Sequence, residues 1–183
     1  MEDTMKIPRL FFAILLAGTF WFQACAIPAW VNTVEADAAV AAPIAASLIA
    51  VVDPALTPTV TLIENGFNAL LKTLETYKST PTTTNLQAVQ SAFTAINTNV
   101  AELESAAQIK TAPSQDTVAS IIELLAQAVS EISALVPPEA GLAVTKSISA
   151  TPAVAIAKGW KAQDFKREYN NLVKGDPRFK PLA

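Results

Sequence analysis

Histidine is absent from the 183 residues, cysteine occurs once and glycine five times. Without histidine there is no Ser-His-Asp or Cys-His nucleophilic system, no histidine metal site and no Glu-x-x-His di-iron motif. The two methionines stand at positions 1 and 5, so a haem inside the chain would lack its usual axial ligands. Gly141, Gly159 and Gly175 are isolated, and no Gly-rich phosphate loop is present. Few glycines and few aromatics also argue against a β-sandwich or barrel. Paired carboxylates are the remaining enzymatic motif. Glu102 and Glu104 lie two apart and diverge around a helix. Glu64, Glu75, Glu123 and Glu131 fall off the apolar stripes described below and read as solvated faces. No cofactor, no metal site and no enzymatic activity are expected.

The N-terminus carries the first positive signal. Lys6 and Arg9 precede an apolar run from Leu10 to Phe22, followed by Gln23, Ala24, Cys25 and Ala26. A short basic region, an apolar stretch of about 7–15 residues and a small-residue boundary form the secretory pattern. The run is shorter than the about 20 residues of a stable membrane span. Residues 1–26 therefore read as a signal peptide. Met5 is its tidier start, because Glu2 and Asp3 dilute the positive end. Phe22-Gln23-Ala24-Cys25 resembles the lipobox of bacterial lipoprotein precursors, in which a small residue precedes the lipidated cysteine. That resemblance implies that Cys25 becomes the mature N-terminus, carries acyl chains such as palmitate and tethers the protein to a membrane. In a Gram-negative cell, Ala26 after the cysteine implies the outer membrane, facing the periplasm. Ala24-Cys25-Ala26 also fits Ala-x-Ala cleavage, the second alternative, which would release a chain starting at Ile27, and an uncleaved anchor is the third.

About 158 residues remain after the signal, enough for one domain with a proper core. They contain no cysteine after Cys25, so helix packing rather than disulfides must stabilise them. Alanine supplies much of the apolar content, which favours helices and their close approach. Charge is segregated: residues 33–136 carry ten acidic and three basic side chains, whereas residues 137–183 carry four acidic and eight basic ones. An acidic body with a basic tail suggests internal docking or two contact surfaces.

Four segments repeat apolar residues at spacings of three and four. The first runs through Val34, Ala38, Ala41, Ala45, Leu48 and Val52, with Asn32 and Glu35 as a capping box and Pro43 off the stripe. The second runs through Leu56, Val60, Ile63, Phe67, Leu70, Leu74 and Tyr77, and starts at Asp53-Pro54 or Thr57-Pro58. The third runs through Leu86, Val89, Phe93, Ile96, Val100, Leu103 and Ala107, capped by Thr84 or Asn85. The fourth runs through Val118, Ile121, Leu125, Ala128, Ile132 and Leu135, begins at Ser114 or Asp116 and ends at Pro137-Pro138. This spacing is the seam of near-parallel helices, and short connections make successive helices antiparallel. The pattern predicts an all-α fold: an up-down four-helix bundle over residues 27–136, with helices of about 20–25 residues, or roughly 30–37 Å. A C-terminal extension over 137–183 contains a fifth helical segment. There, 139–150 reads as a linker or strap, Thr151-Pro152 as a helix start, and Phe165, Tyr169 and Leu172 as an apolar face. Lys174-Gly175 reads as a helix stop and 176–181 as an irregular basic end.

The tail interleaves Trp160, Phe165, Tyr169 and Phe179 with Lys158, Lys161, Lys166, Arg167, Lys174, Arg178 and Lys180. Such a mixture suits anionic lipid or a protein partner, while helical spacing alone explains the aromatics as packing residues. Export argues against nucleic acid. Lys161, Lys166, Arg167, Lys174, Arg178 and Lys180 are the candidate contact residues. The expected function is structural or interactive, in the bacterial cell envelope. The competing reading is a membrane-active, phage-lysis-like or envelope-disrupting protein that uses residues 10–26 and 38–52.

Overall fold

A computed structural model describes residues 27–109, 116–137 and 159–183. The signal with Cys25, the Ser114 cap, the 139–150 strap, the Thr151-Pro152 helix start and the side chain of Ala107 lie outside the described residues. Within them the fold is all-α: an up-down four-helix bundle with a C-terminal extension that contains a fifth helix. The helices are α1 (Ala29–Leu48), α2 (Thr57–Ser79), α3 (Thr83–Ile109), α4 (Asp116–Leu135) and α5 (Ala162–Leu172).

The four long helices form a ring in which α1 packs on α2, α2 on α3, α3 on α4, and α4 closes on α1. Cross-contacts fix their directions. At one end, here called the base, Trp30 near the start of α1 stacks on Tyr77 near the end of α2, with ring centroids 5.7 Å apart. There too, the Gln90 amide of early α3 donates to the Pro137 carbonyl after α4 at 2.7 Å. Lys78 and Glu35 bridge α2 and α1 at 2.7 Å. The buried residues are largely those the periodicity marks. Val60, Ile63, Phe67, Leu70 and Leu74 of α2 are all closed to solvent, as are Val89, Ile96 and Leu103 of α3. Each large apolar side chain so buried stabilises the fold by roughly 1.5–3 kcal/mol relative to exposure.

Helix starts depart from the sequence expectation. α1 begins at Ala29 behind Pro28, three residues before Asn32. Val31 is fully buried and Trp30 packs on Tyr77, so tertiary packing extends the helix upstream. Glu35, expected in a capping box, instead reaches across to Lys78. Asp53-Pro54 forms the connecting turn, where the Asp53 carboxylate accepts the Ala55 N–H at 2.8 Å. α2 starts at Thr57-Pro58, with proline in the first turn, where its missing donor costs nothing. Thr82, rather than Thr84 or Asn85, caps α3: its hydroxyl accepts the Asn85 N–H at 3.2 Å. Pro43 lies inside α1 and is exposed, as its place off the stripe requires.

Two helices bury more than one stripe. In α1, Val31, Ala42 and Ile44 join the core; in α4, Ile122, Leu124 and Val129 do. These are the two helices that also carry α5, which lies against both. Among the described residues α4 is also the one helix long and apolar enough, by composition, to cross a membrane. Gly66 of α2 permits the close approach of α3, because a Cβ there would sit 2.7 Å from Cγ1 of Ile96.

Candidate functional site

The C-terminal arm, residues 159–183, is held by an apolar strip. Phe165 and Tyr169 of α5 are completely buried, and Val173 and Phe179 nearly so. Leu172, the third residue of the expected apolar face, is only partly buried, at the edge of the same core. Trp160 meets Phe165 at 5.5 Å. Asp164 shapes the start of α5 by accepting the Lys161 N–H at 3.1 Å. This is one half of a capping box; lysine has no acceptor to supply the other half. At the far end Gly175 adopts φ +92°, the left-handed turn foreseen from Lys174-Gly175. The chain then doubles back along α5. Tyr169 donates its hydroxyl to the Lys180 carbonyl at 3.3 Å. Asn170 pairs with Leu182 twice, accepting its N–H at 2.7 Å and donating to its carbonyl at 3.1 Å. The basic end is irregular in backbone but docked.

Three of the six candidate basic residues are engaged within the arm itself. Lys166 donates to the Ala183 carbonyl. Arg167 pairs with Asp164 at 2.6 Å, one turn back on the same helix. Arg178 pairs with Asp176 at 2.7 Å and lies over the Phe179 ring at 5.6 Å. The local acids thus absorb both arginines, which composition alone did not disclose. Hydrogen bonds from the Lys161 N–H and from Arg167 hold the Asp164 carboxyl below its ordinary range. Arg178 does the same for Asp176, and Asp176 in turn raises Arg178. Both ion pairs face solvent, so each contributes little to stability and is readily exchanged for another anion. Lys161, Lys174 and Lys180 are exposed. Lys174, Asp176 and Arg178 border a shallow open depression together with Thr117 of early α4.

One polar residue of the seat escaped the sequence reading. Asp37, which reads there only as a flank of the apolar run, is 1% exposed. Its pattern signal was slight: it adjoins Ala38 on the α1 stripe. The Ala162 N–H at the start of α5 donates to its carboxyl, and Glu131 of α4 is the nearby like charge. Its Oδ2 has no hydrogen-bond partner. Burial, opposed by the Ala162 N–H and aided least by Glu131, pushes the carboxyl up to about 6. The Glu102 and Glu104 pair diverges as expected: Glu102 is exposed, while Glu104 is half-buried and raised by desolvation and by Glu123 of α4. Among the described residues no three aspartate, glutamate, histidine or cysteine side chains converge as a metal site would require.

The arm spans the bundle lengthwise. Its start meets Asp37 and the Glu131 region, nearer the base, and Asp176 bonds Thr117 at the opposite end. Ile27, two residues after Cys25 in the chain, is exposed at the base ahead of α1. No protein-family model, no curated protein and no solved structure matches this chain.

Proposed function

We propose that the protein is a non-catalytic helical spacer of the bacterial cell envelope, exported by residues 1–26 and tethered through acylated Cys25. Its bundle presents the basic arm to an acidic protein partner. The observation that carries this reading is the polarity of the fold. The chain enters at the base, whereas Lys174 and Arg178 sit at the other end beside Thr117. A 20-residue α1 separates the two ends by about 30 Å. A tether at the base therefore directs this basic end away from its own bilayer, which favours a partner over that membrane's headgroups. Burial of Ala38, Ala41, Ile44, Ala45 and Leu48 in the core supports the bundle over the membrane-active alternative, which needs residues 38–52 for lipid.

Intact mass of the protein purified from membranes tests the anchor: an acylated chain starting at Cys25 is expected. A chain starting at Ile27, or one retaining the signal, refutes the tether. For the arm, Lys174→Ala with Arg178→Ala at the far end should lose partner crosslinking while keeping helicity. Undiminished crosslinking would refute the arm's role. Protease protection of 38–52 in intact membranes would instead support the membrane-active reading.

A further inference from the structure

We propose that Asp37 is a proton-operated latch for the C-terminal arm, keeping residues 159–183 docked when neutral and loosening them when ionised.

The geometry is that of a carboxyl closed in on all sides. Asp37 projects from α1 into the seat of α5, is shut off from water, and has one oxygen without a partner. A buried carboxylate is tolerated when hydrogen bonds and counter-charges replace its water. Here the replacement is a single N–H, from Ala162 at the start of α5. The partial positive charge of that helix end favours the anion, but only modestly. The surrounding charged groups do not supply the rest. From α4 comes Glu131, a like charge. From the first turn of α5 comes Asp164, a second acid, already turned back on the Lys161 N–H and Arg167. Lys161 is exposed. On the α2 side of α1, Lys78 is held by Glu35 at 2.7 Å. No cation is thus paired with Asp37 among the described residues.

An ionised Asp37 is relieved by access to water, and the elements covering it differ in how firmly they are held. The four long helices interlock around one core over 20–27 residues each. α5 has 11 residues and rests on only two of them. The arm is the element that yields. Burial raises the carboxyl to about 6, so ionisation falls in a range that a cell envelope exposed to its surroundings traverses. Loosening uncovers Phe165 and Tyr169 and the surfaces of α1 and α4 on which they rest. The latch does not depend on what the arm binds.

Peptide-resolved amide hydrogen exchange on the full chain, corrected for intrinsic rates between pH 4.5 and 7.5, tests it. Protection of residues 162–172 should fall by about 10- to 100-fold as Asp37 ionises, given tenfold per pH unit between the free and buried values. Protection in α2 and α3 should hold. Asp37→Asn should abolish the fall. Glu131→Gln, which removes the like charge and so lowers only the buried value, should make the fall smaller, and decides the matter if the Asp37 variant does not fold. A flat wild-type profile overturns the latch. So does an unchanged profile in either variant, or a fall in α2 and α3 in step with α5.

Discussion

Gly66→Ala sets two known effects against each other at one position. Inside a helix, alanine is favoured over glycine by about 1 kcal/mol, so propensity alone predicts stabilisation of α2. The added Cβ, however, would stand 2.7 Å from Ile96 Cγ1, about 1 Å inside van der Waals contact. Cγ1 is close to the α3 backbone and Ile96 is fully buried, so it has little room to retreat. Overpacking of this kind costs about 1–3 kcal/mol. The clash outweighs the propensity, leaving a net loss of about 1 kcal/mol. For a chain of this size that lowers Tm by roughly 2–4 °C. Thermal melts followed by circular dichroism read it directly. Ile96→Ala supplies the internal control: with Cγ1 gone, Gly66→Ala should become stabilising, and the double-mutant cycle should show coupling of about 1–2 kcal/mol. A raised Tm for the single variant, or additivity in the cycle, refutes the close-approach argument.

Phe165→Ala should remove about 3–5 kcal/mol of packing from the arm. Because α5 rests only on α1 and α4, exchange protection should be lost in 162–172 but kept in α2 and α3; collapse of all helices together would contradict the separateness of the arm. The Asp37 carboxyl is raised in the folded state, so the native protein binds the extra proton. Its contribution to stability is therefore greatest below about 3.8 and is lost as pH rises towards 6. The rise from 3.8 to about 6 corresponds to about 3 kcal/mol. Asp37→Asn should accordingly be the more stable protein at pH 7 and lose that advantage near pH 4, as urea titrations at both pH values will show; equal differences at the two pH values contradict this. Cys25→Ser should shift the chain from the membrane to the soluble fraction and remove any acyl mass; continued membrane retention counts against the tether.

The sequence by itself determined the helices and most of the core, because a spacing of three and four is a property of each helix alone. Val60, Ile63, Phe67, Leu70 and Leu74 follow from that rule, as does the turn at Gly175, where only the absence of a side chain makes φ +92° unstrained. Helix starts were less legible: Trp30 and Val31 extend α1 through contacts with a helix many residues away, and Thr82 outcompetes its neighbours as a cap by local geometry. The functional surface was least legible of all. Composition counts charges but not their partners: Asp164 and Arg167 are a local i,i+3 pair that helical spacing makes readable, and Asp176 with Arg178 is local too. It took the tertiary structure to seat α5 on α1 and α4. That placement buries Asp37 under a helix start more than a hundred positions later in the chain, where desolvation, a long-range property, sets its chemistry.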